Sequence, residues 1–365
     1  MTQDRAELIA DTTLKGGAFT DAYTAWLDGW ISSISTRAGV PEGTALVAIG
    51  GYGRRDMAPH SDLDIALIHR PDVDVTSFAD SVWYPVWDAG MKLGQRVDTV
   101  EGMLKLARTD LDTATALLDC RRLLGDDSLS LDLAVRAQQQ WRDNGAENVS
   151  ELGKRVEMLH AQHGEVAFLL GPDIKVGRGG LRDVHALHWA AATGVLADET
   201  DVDSLTDAYQ TLLRARVELH RLTGRPGDRL VLDYQDEIAA ELGYRDADDL
   251  MTDIATSARS IAWVSDAIWF WVERSLRRHD KSGDRKRIDA DIVIDGSLLS
   301  LTADADPSSA PTMVLRVARA AASQRAFIDH ETLRRLADEV GPLPQPWTAE
   351  MRSVFDGLLG QGHDA

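Results

Sequence analysis

A single cysteine, Cys120, in 365 residues leaves nothing for a disulfide framework and fits a reducing compartment. No run reaches the ~18–20 apolar residues that a membrane-spanning helix needs. The longest apolar-rich stretch, 261–272, is too short and contains Asp266. Residues 1–15 lack the apolar segment of a signal peptide, so a cytoplasmic protein with no membrane partner is expected. Basic charge is scarce: 39 Lys and Arg stand against 59 Asp and Glu, for a net charge of −20. The basic clusters are short: Arg54-Arg55, Arg121-Arg122, Arg277-Arg278 and Arg285-Lys286-Arg287. A chain that grips a phosphate backbone needs a basic surface, so nucleic acid is not expected as a partner. No internal repeat and no long low-complexity run is present. The hydrophobic fraction, 44%, marks a globular chain, and its length suffices for two domains.

What is present concentrates in residues 50–64: Gly50-Gly51-Tyr52-Gly53-Arg54-Arg55-Asp56-Met57-Ala58-Pro59-His60-Ser61-Asp62-Leu63-Asp64. An apolar run, 45–49, feeds the glycine pair, and a second, 65–68, follows Asp64. Residues two apart on a strand face the same way, so Asp62 and Asp64 project together. Two such close carboxylates repel unless a cation sits between them. Mg²⁺ takes carboxylate oxygens and keeps positions open for substrate phosphates. A glycine-rich turn exposes N–H groups and lets a triphosphate approach the chain. Together these pieces describe a nucleotidyl-transfer site, although Asp-x-Asp or Gly-Gly alone is more often a turn or a solvated strand end.

Periodicity predicts a helix over 19–38, strands over 46–49 and 63–68, a helix over 76–89 that Pro85 kinks or splits, and a strand over 92–100. Beyond about residue 103 the pattern is helical: 111–124, 129–141, 149–170, 181–196, 204–222 and 247–277. Asp203 or Ser204 is the expected N-cap of the fifth. Residues 171–180 read as a glycine-rich loop. A charged linker is expected over 278–289, a hairpin around Asp295-Gly296, short helices over 313–322 and 330–340, and a disordered tail over 360–365. Trp83, Trp87, Trp263, Trp269 and Trp271 read as core, and His185 and His188 as packing residues.

The Gly-Gly and Ser-Asp-x-Asp pattern resembles the nucleotidyltransferase superfamily of polymerase-beta type. Tyr52-Gly53-Arg54 and Pro59-His60-Ser61 narrow the resemblance to the bacterial PII uridylyltransferases. Two further blocks support it: Pro172-Asp173-Ile174-Lys175 with Gly179-Gly180-Leu181-Arg182-Asp183-Val184-His185, and Arg225, Asp228-Arg229-Leu230, Tyr234-Gln235 leading to Leu242-Gly243-Tyr244. The resemblance covers roughly residues 20–340. It implies an α+β fold, a small mixed-sheet nucleotidyltransferase domain (1–105) followed by a mostly helical domain (106–280) and a small C-terminal segment (281–365). It also implies transfer of UMP from UTP, or AMP from ATP, onto a tyrosine of a PII signalling protein.

In this scheme Asp62 and Asp64 are the metal ligands, and two Mg²⁺ ions would bridge the attacking and leaving oxygens. Gly50 and Gly51 meet the phosphates through their backbone. Ser61 donates to a phosphate or is a turn hydroxyl, and Arg54 neutralises phosphate charge or is a surface arginine beside a turn. Lys175 reaches a phosphate, while Arg182 and Asp183 serve the nucleotide or pair with each other. Arg225, Asp228 and Arg229 are expected to order the helical domain. The superfamily usually adds a third acid on a neighbouring strand, and Asp98 is the expected third ligand and activating base. PII uridylyltransferases tend to carry an arginine near that position, so the alternative is an ordinary strand-end acid. Full-length members add an HD hydrolase domain and two glutamine-sensing ACT domains. His279-Asp280 and His363-Asp364 are isolated pairs, so nucleotide removal and glutamine sensing are not expected, and a truncated chain is favoured over a naturally short member. Competing readings are another protein or small-molecule acceptor, or an inactive nucleotide-binding regulatory module.

Overall fold

The computed structural model describes residues 2–195, 203–277 and 285–361. It divides into two units, Met1–Ser275 and Leu276–Ala365. The first opens with α1 (Thr2–Ala10) and α2 (Gly16–Ala38), followed by β1 (Thr44–Ala48), α3 (Gly50–Gly53), β2 (Leu63–His69), α4 (Thr76–Asp88) and β3 (Leu93–Asp98). Next come α5 (Val100–Ala107), α6 (Leu111–Leu118), β4 (Arg121–Gly125), α7 (Asp127–Asp143) and α8 (Gly145–His163). The unit is completed by α9 (Leu181–Ala192), α10 (Thr206–Thr223), α11 (Leu232–Leu242) and α12 (Ala247–Arg277), whose last residues cross the division.

The four strands form one mixed sheet in the order β3-β2-β1-β4. β1 runs antiparallel to β2 and β4, and β2 runs parallel to β3. Parallel neighbours need a crossover, and α4 supplies it. Pro85 lies inside α4 without splitting it. Alternation along β2 sorts its side chains between two layers. Leu63, Ile65 and Leu67 pack with Phe19 and Leu27 of α2 and Phe78 and Val82 of α4. Ala66 and Ile68 face Met103 of α5 and Leu133 of α7. Asp64 falls in register with this second face. The chain is thus α+β, with a small mixed sheet and a mostly helical remainder.

Several expectations need correction. Residues 111–124 do not form one helix: α6 stops at Leu118 and β4 takes the open edge of β1. Leu123 and Leu124 satisfy either period, and the strand's long-range partner decides. The sheet therefore extends past residue 105. The helix expected over 149–170 ends at His163, because Gly164 adopts φ +70° and turns the chain. Helices α1 and α11 were not expected. The N-cap position of α10 is Leu205, without a side-chain cap, rather than Asp203 or Ser204. Trp87 and Trp263, expected in the core, are exposed.

The second unit holds β5 (Lys286–Arg287), β6 (Ile292–Asp295), β7 (Leu298–Leu301), α13 (Met313–Gln324), β8 (Phe327–Ile328), α14 (His330–Glu339) and α15 (Ala349–Leu359). β6 and β7 form the expected hairpin, with Gly296 at φ +63°. Ile292, Leu299, Met313, Val317 and Leu336 make its core. Residues 278–284 of the expected linker and 362–365 of the expected tail, with both His-Asp pairs, lie outside the described residues.

Candidate active site

β1 delivers the chain into α3, and a turn returns it to β2. Gly50 sits at φ +54°, a backbone state that strains any residue with a Cβ. A Cβ on Gly53 would lie 1.9 Å from the Asp119 carbonyl oxygen, so only glycine lets α3 pack this tightly before β4. The Tyr52 hydroxyl donates to Asp28 at 2.7 Å and pins the turn to α2. This geometry brings Gly50 to the edge of the Asp64 carboxylate, where an added Cβ would stand 3.5 Å from Oδ2.

Asp62 and Asp64 open into a cleft of about 500 Å³ between the turn, α6 and the helices α9 and α10. Burial pushes the Asp64 carboxyl up to about 6, the Asp62 charge adds to this, and Lys175, Arg54 and Lys92 oppose it. A carboxylate so raised is poised to accept a cation.

The opposite wall is cationic. Lys175, in the loop before α9, lies 3.5 Å from Asp228, and burial together with the Arg216 charge pulls its ammonium below the usual lysine range. Arg216 of α10 donates to Asp228 at 2.7 Å and reaches Ser61 Oγ at 3.4 Å. Arg54 donates to Asp56 at 2.9 Å and to Asp119 at 2.5 Å. Arg182 forms no ion pair among the described residues. Its guanidinium lies over the Trp189 ring at 5.6 Å, as does that of Arg54. Burial and the neighbouring arginines Arg54 and Arg216 lower its pKa, which Asp112 partly offsets. A half-buried cation without a counter-ion is a place for an anion. His185 is buried beside Asp56 at 3.2 Å, and burial holds it near 3, so it is neutral at pH 7.

The structure gathers Asp62, Asp64, Gly50, Gly51, Arg54, Ser61 and Lys175 around this one cleft. Ser61 is a turn hydroxyl that accepts from the Ala58 N–H at 3.1 Å. Arg182 and Asp183 are not paired: Asp183 meets His160 at 2.8 Å and accepts from the Gly179 N–H. Asp228 belongs to the cleft rather than to the helical domain alone.

The structure does not bring Asp98 into the cleft. Parallel pairing sets Asp64 opposite Gly94 and Asp98 opposite Ile68. Asp98 is thus four residues along the strand from Asp64, on the order of 13 Å at ~3.3 Å per residue. There it accepts from the Thr99 N–H at the start of α5. Among the described residues no three His, Cys, Asp or Glu side chains are grouped to hold a metal. Two carboxylates with open positions suit one Mg²⁺ that shares substrate phosphates. They do not supply a second complete site.

Sequence reasoning missed Arg216 and Lys92. Arg216 did leave a signal, a cation set among Leu212, Leu213, Val217 and Leu219 on the buried side of α10. Lys92 left none, because its place follows from the β2–β3 register.

Residues 148–269 match the family model described as GlnD PII-uridylyltransferase. The chain is 37% identical over 98% of its length to a "Bifunctional uridylyltransferase/uridylyl-removing enzyme" of Streptomyces coelicolor, covering 45% of that protein. It is 39% identical over 92% of its length to the protein of the same name in Mycobacterium tuberculosis, covering 43%. With that of Corynebacterium glutamicum it is 32% identical over 88% of its length, covering 46%. The chain therefore spans a little under half the length of these relatives.

Proposed function

This chain belongs to the PII-uridylyltransferase family over the stretch it shares with those relatives, and from that premise we propose that it is a nucleotidyltransferase. It moves UMP from UTP, or AMP from ATP, onto a tyrosine of a PII-type signalling protein. The single observation that carries the reading is the Asp62–Asp64 pair facing a wall of cations across one cleft.

Asp62 and Asp64 would hold a divalent cation, which would supply charge neutralisation to the triphosphate. Lys175, Arg182 and Arg216 hold the phosphate oxygens. The N–H groups of Gly50 and Gly51 lie at a helix start, where no intrahelical acceptor exists, and turn to the phosphates. Arg54, already engaged by two carboxylates, fixes the turn and stacks on Trp189. The acceptor's phenol oxygen bonds to the α-phosphorus as the bond to pyrophosphate breaks, and the phenol proton leaves to solvent. Holding the reactants in line is the main contribution of such a site. We place the reaction in the cytoplasm; burial and the Asp119 charge push the Cys120 thiol up to about 11, which keeps it unreactive.

Incubation with a PII protein, Mg²⁺ and UTP or ATP separately, followed by intact-mass measurement, tests the proposal. A gain of one UMP or one AMP on PII is expected. No gain with either, while nucleotide binding is demonstrable, would point to another acceptor.

A further inference from the structure

β3 is the strand that faces the carboxylate pair, and its residues on that row are Lys92 and Gly94. Lys92 precedes the ladder, and its carbonyl accepts from the Leu63 N–H at 2.9 Å, so its side chain stands beside Asp62. The ammonium donates to Asp62 Oδ2 at 2.6 Å. Gly94 offers no ligand, and its missing side chain is where Asp64 lies: a Cβ there would stand 2.2 Å from Asp64 Oδ1. The other acids lining the cleft are committed. Asp56 is held by Arg54 and His185, Asp228 by Arg216 and His220, and the exposed Asp112 faces Arg155 at 3.4 Å. A two-ion site needs a further carboxylate next to the pair, and the Lys92 ammonium stands there instead.

We propose that Lys92 is a tethered counter-ion that fills the second cation place at Asp62, so that the cleft takes its nucleoside triphosphate with one divalent ion rather than two. The inference rests on the nucleotide reading of the cleft. Lys92 is 76% and Asp62 40% exposed, so their pair is screened and contributes little to folding. Its consequence lies in the ion count.

The test counts Mn²⁺ by electron paramagnetic resonance on the full chain saturated with a non-hydrolysable UTP or ATP analogue. One Mn²⁺ per bound nucleotide is expected for the wild type and two for Lys92→Glu, which supplies the missing carboxylate. Lys92→Gln, which removes the charge without adding a ligand, stays at one. Two ions in the wild type, or one in a folded Lys92→Glu, overturns the inference and leaves nucleotide binding intact. No bound nucleotide in any form overturns the reading of the cleft itself. The wild-type count decides even if a variant fails to fold.

Discussion

Asp64 carries a charge that its surroundings resist. Its carboxyl is raised to about 6 in the folded chain, against an ordinary value of 3.8. The folded state therefore holds a proton that the unfolded state has released between those values. Metal-free stability falls as pH rises from about 4 through 6, by roughly 2–3 kcal/mol at most. Asp64→Asn is expected to abolish transfer while leaving the metal-free Tm at pH 7 unchanged or a few degrees higher. It should also flatten the pH dependence of Tm across that window. Thermal melts at several pH values, with and without Mg²⁺, check this: Mg²⁺ should raise Tm in the wild type and much less in the variant. A variant with full transfer activity would remove Asp64 from the site. At this scale the sequence was informative where the period of two decides, as at Asp62 and Asp64. It was silent where a neighbouring strand decides. Whether Lys92, Gly94 or Asp98 stands beside the pair depends on a register that no local pattern records.

Between elements, the cleft is held by Asp228. Its carboxylate accepts from Arg216 of α10 at 2.7 Å, meets His220 at 3.1 Å and lies 3.5 Å from Lys175 in the loop before α9. The backbone joins the same segments, Ile174 N–H to the Asp228 carbonyl at 2.9 Å and Leu230 N–H to Pro172 at 2.8 Å. Hydrogen bonds from the His220 ring and the charges of Arg216 and Lys175 hold Asp228 well below the usual carboxylate range despite its burial. Asp228→Ala leaves the buried Arg216 without its carboxylate partner and is expected to cost about 3–5 kcal/mol at pH 7. The gap should narrow as pH falls below about 4, because the unfolded chain then gains a proton at Asp228 that the folded carboxylate still refuses. Urea titrations at both pH values measure it, and an unchanged midpoint at pH 7 would show that the cation wall stands without Asp228. The elements themselves were mostly legible, because α2, α4, α10 and α12 carry long apolar stripes that only a helix aligns. β4 was not: five residues with two leucines fit a helix end as well as a strand, and only the free edge of β1 selects between them.

Over the whole molecule, 20 excess negative charges repel one another. Self-repulsion opposes the compact state and is screened by salt. The metal-free protein is therefore expected to melt a few degrees higher at ~0.5 M NaCl than at low ionic strength. Differential scanning fluorimetry across a salt series tests this, and a Tm that falls steadily with salt would mean that local ion pairs outweigh the net charge.

The cation-lined cleft sits in an acidic chain, and the contrast bears on the kinetics of capture. An approaching triphosphate first meets a repulsive field and reaches the arginines and Lys175 only at close range. Chelated to a divalent ion it carries half the negative charge and crosses that barrier more readily. In the proposed reaction the surface would thus select the chelated form by arrival rate before any residue of the cleft touches it, and that preference would fade as ionic strength rises.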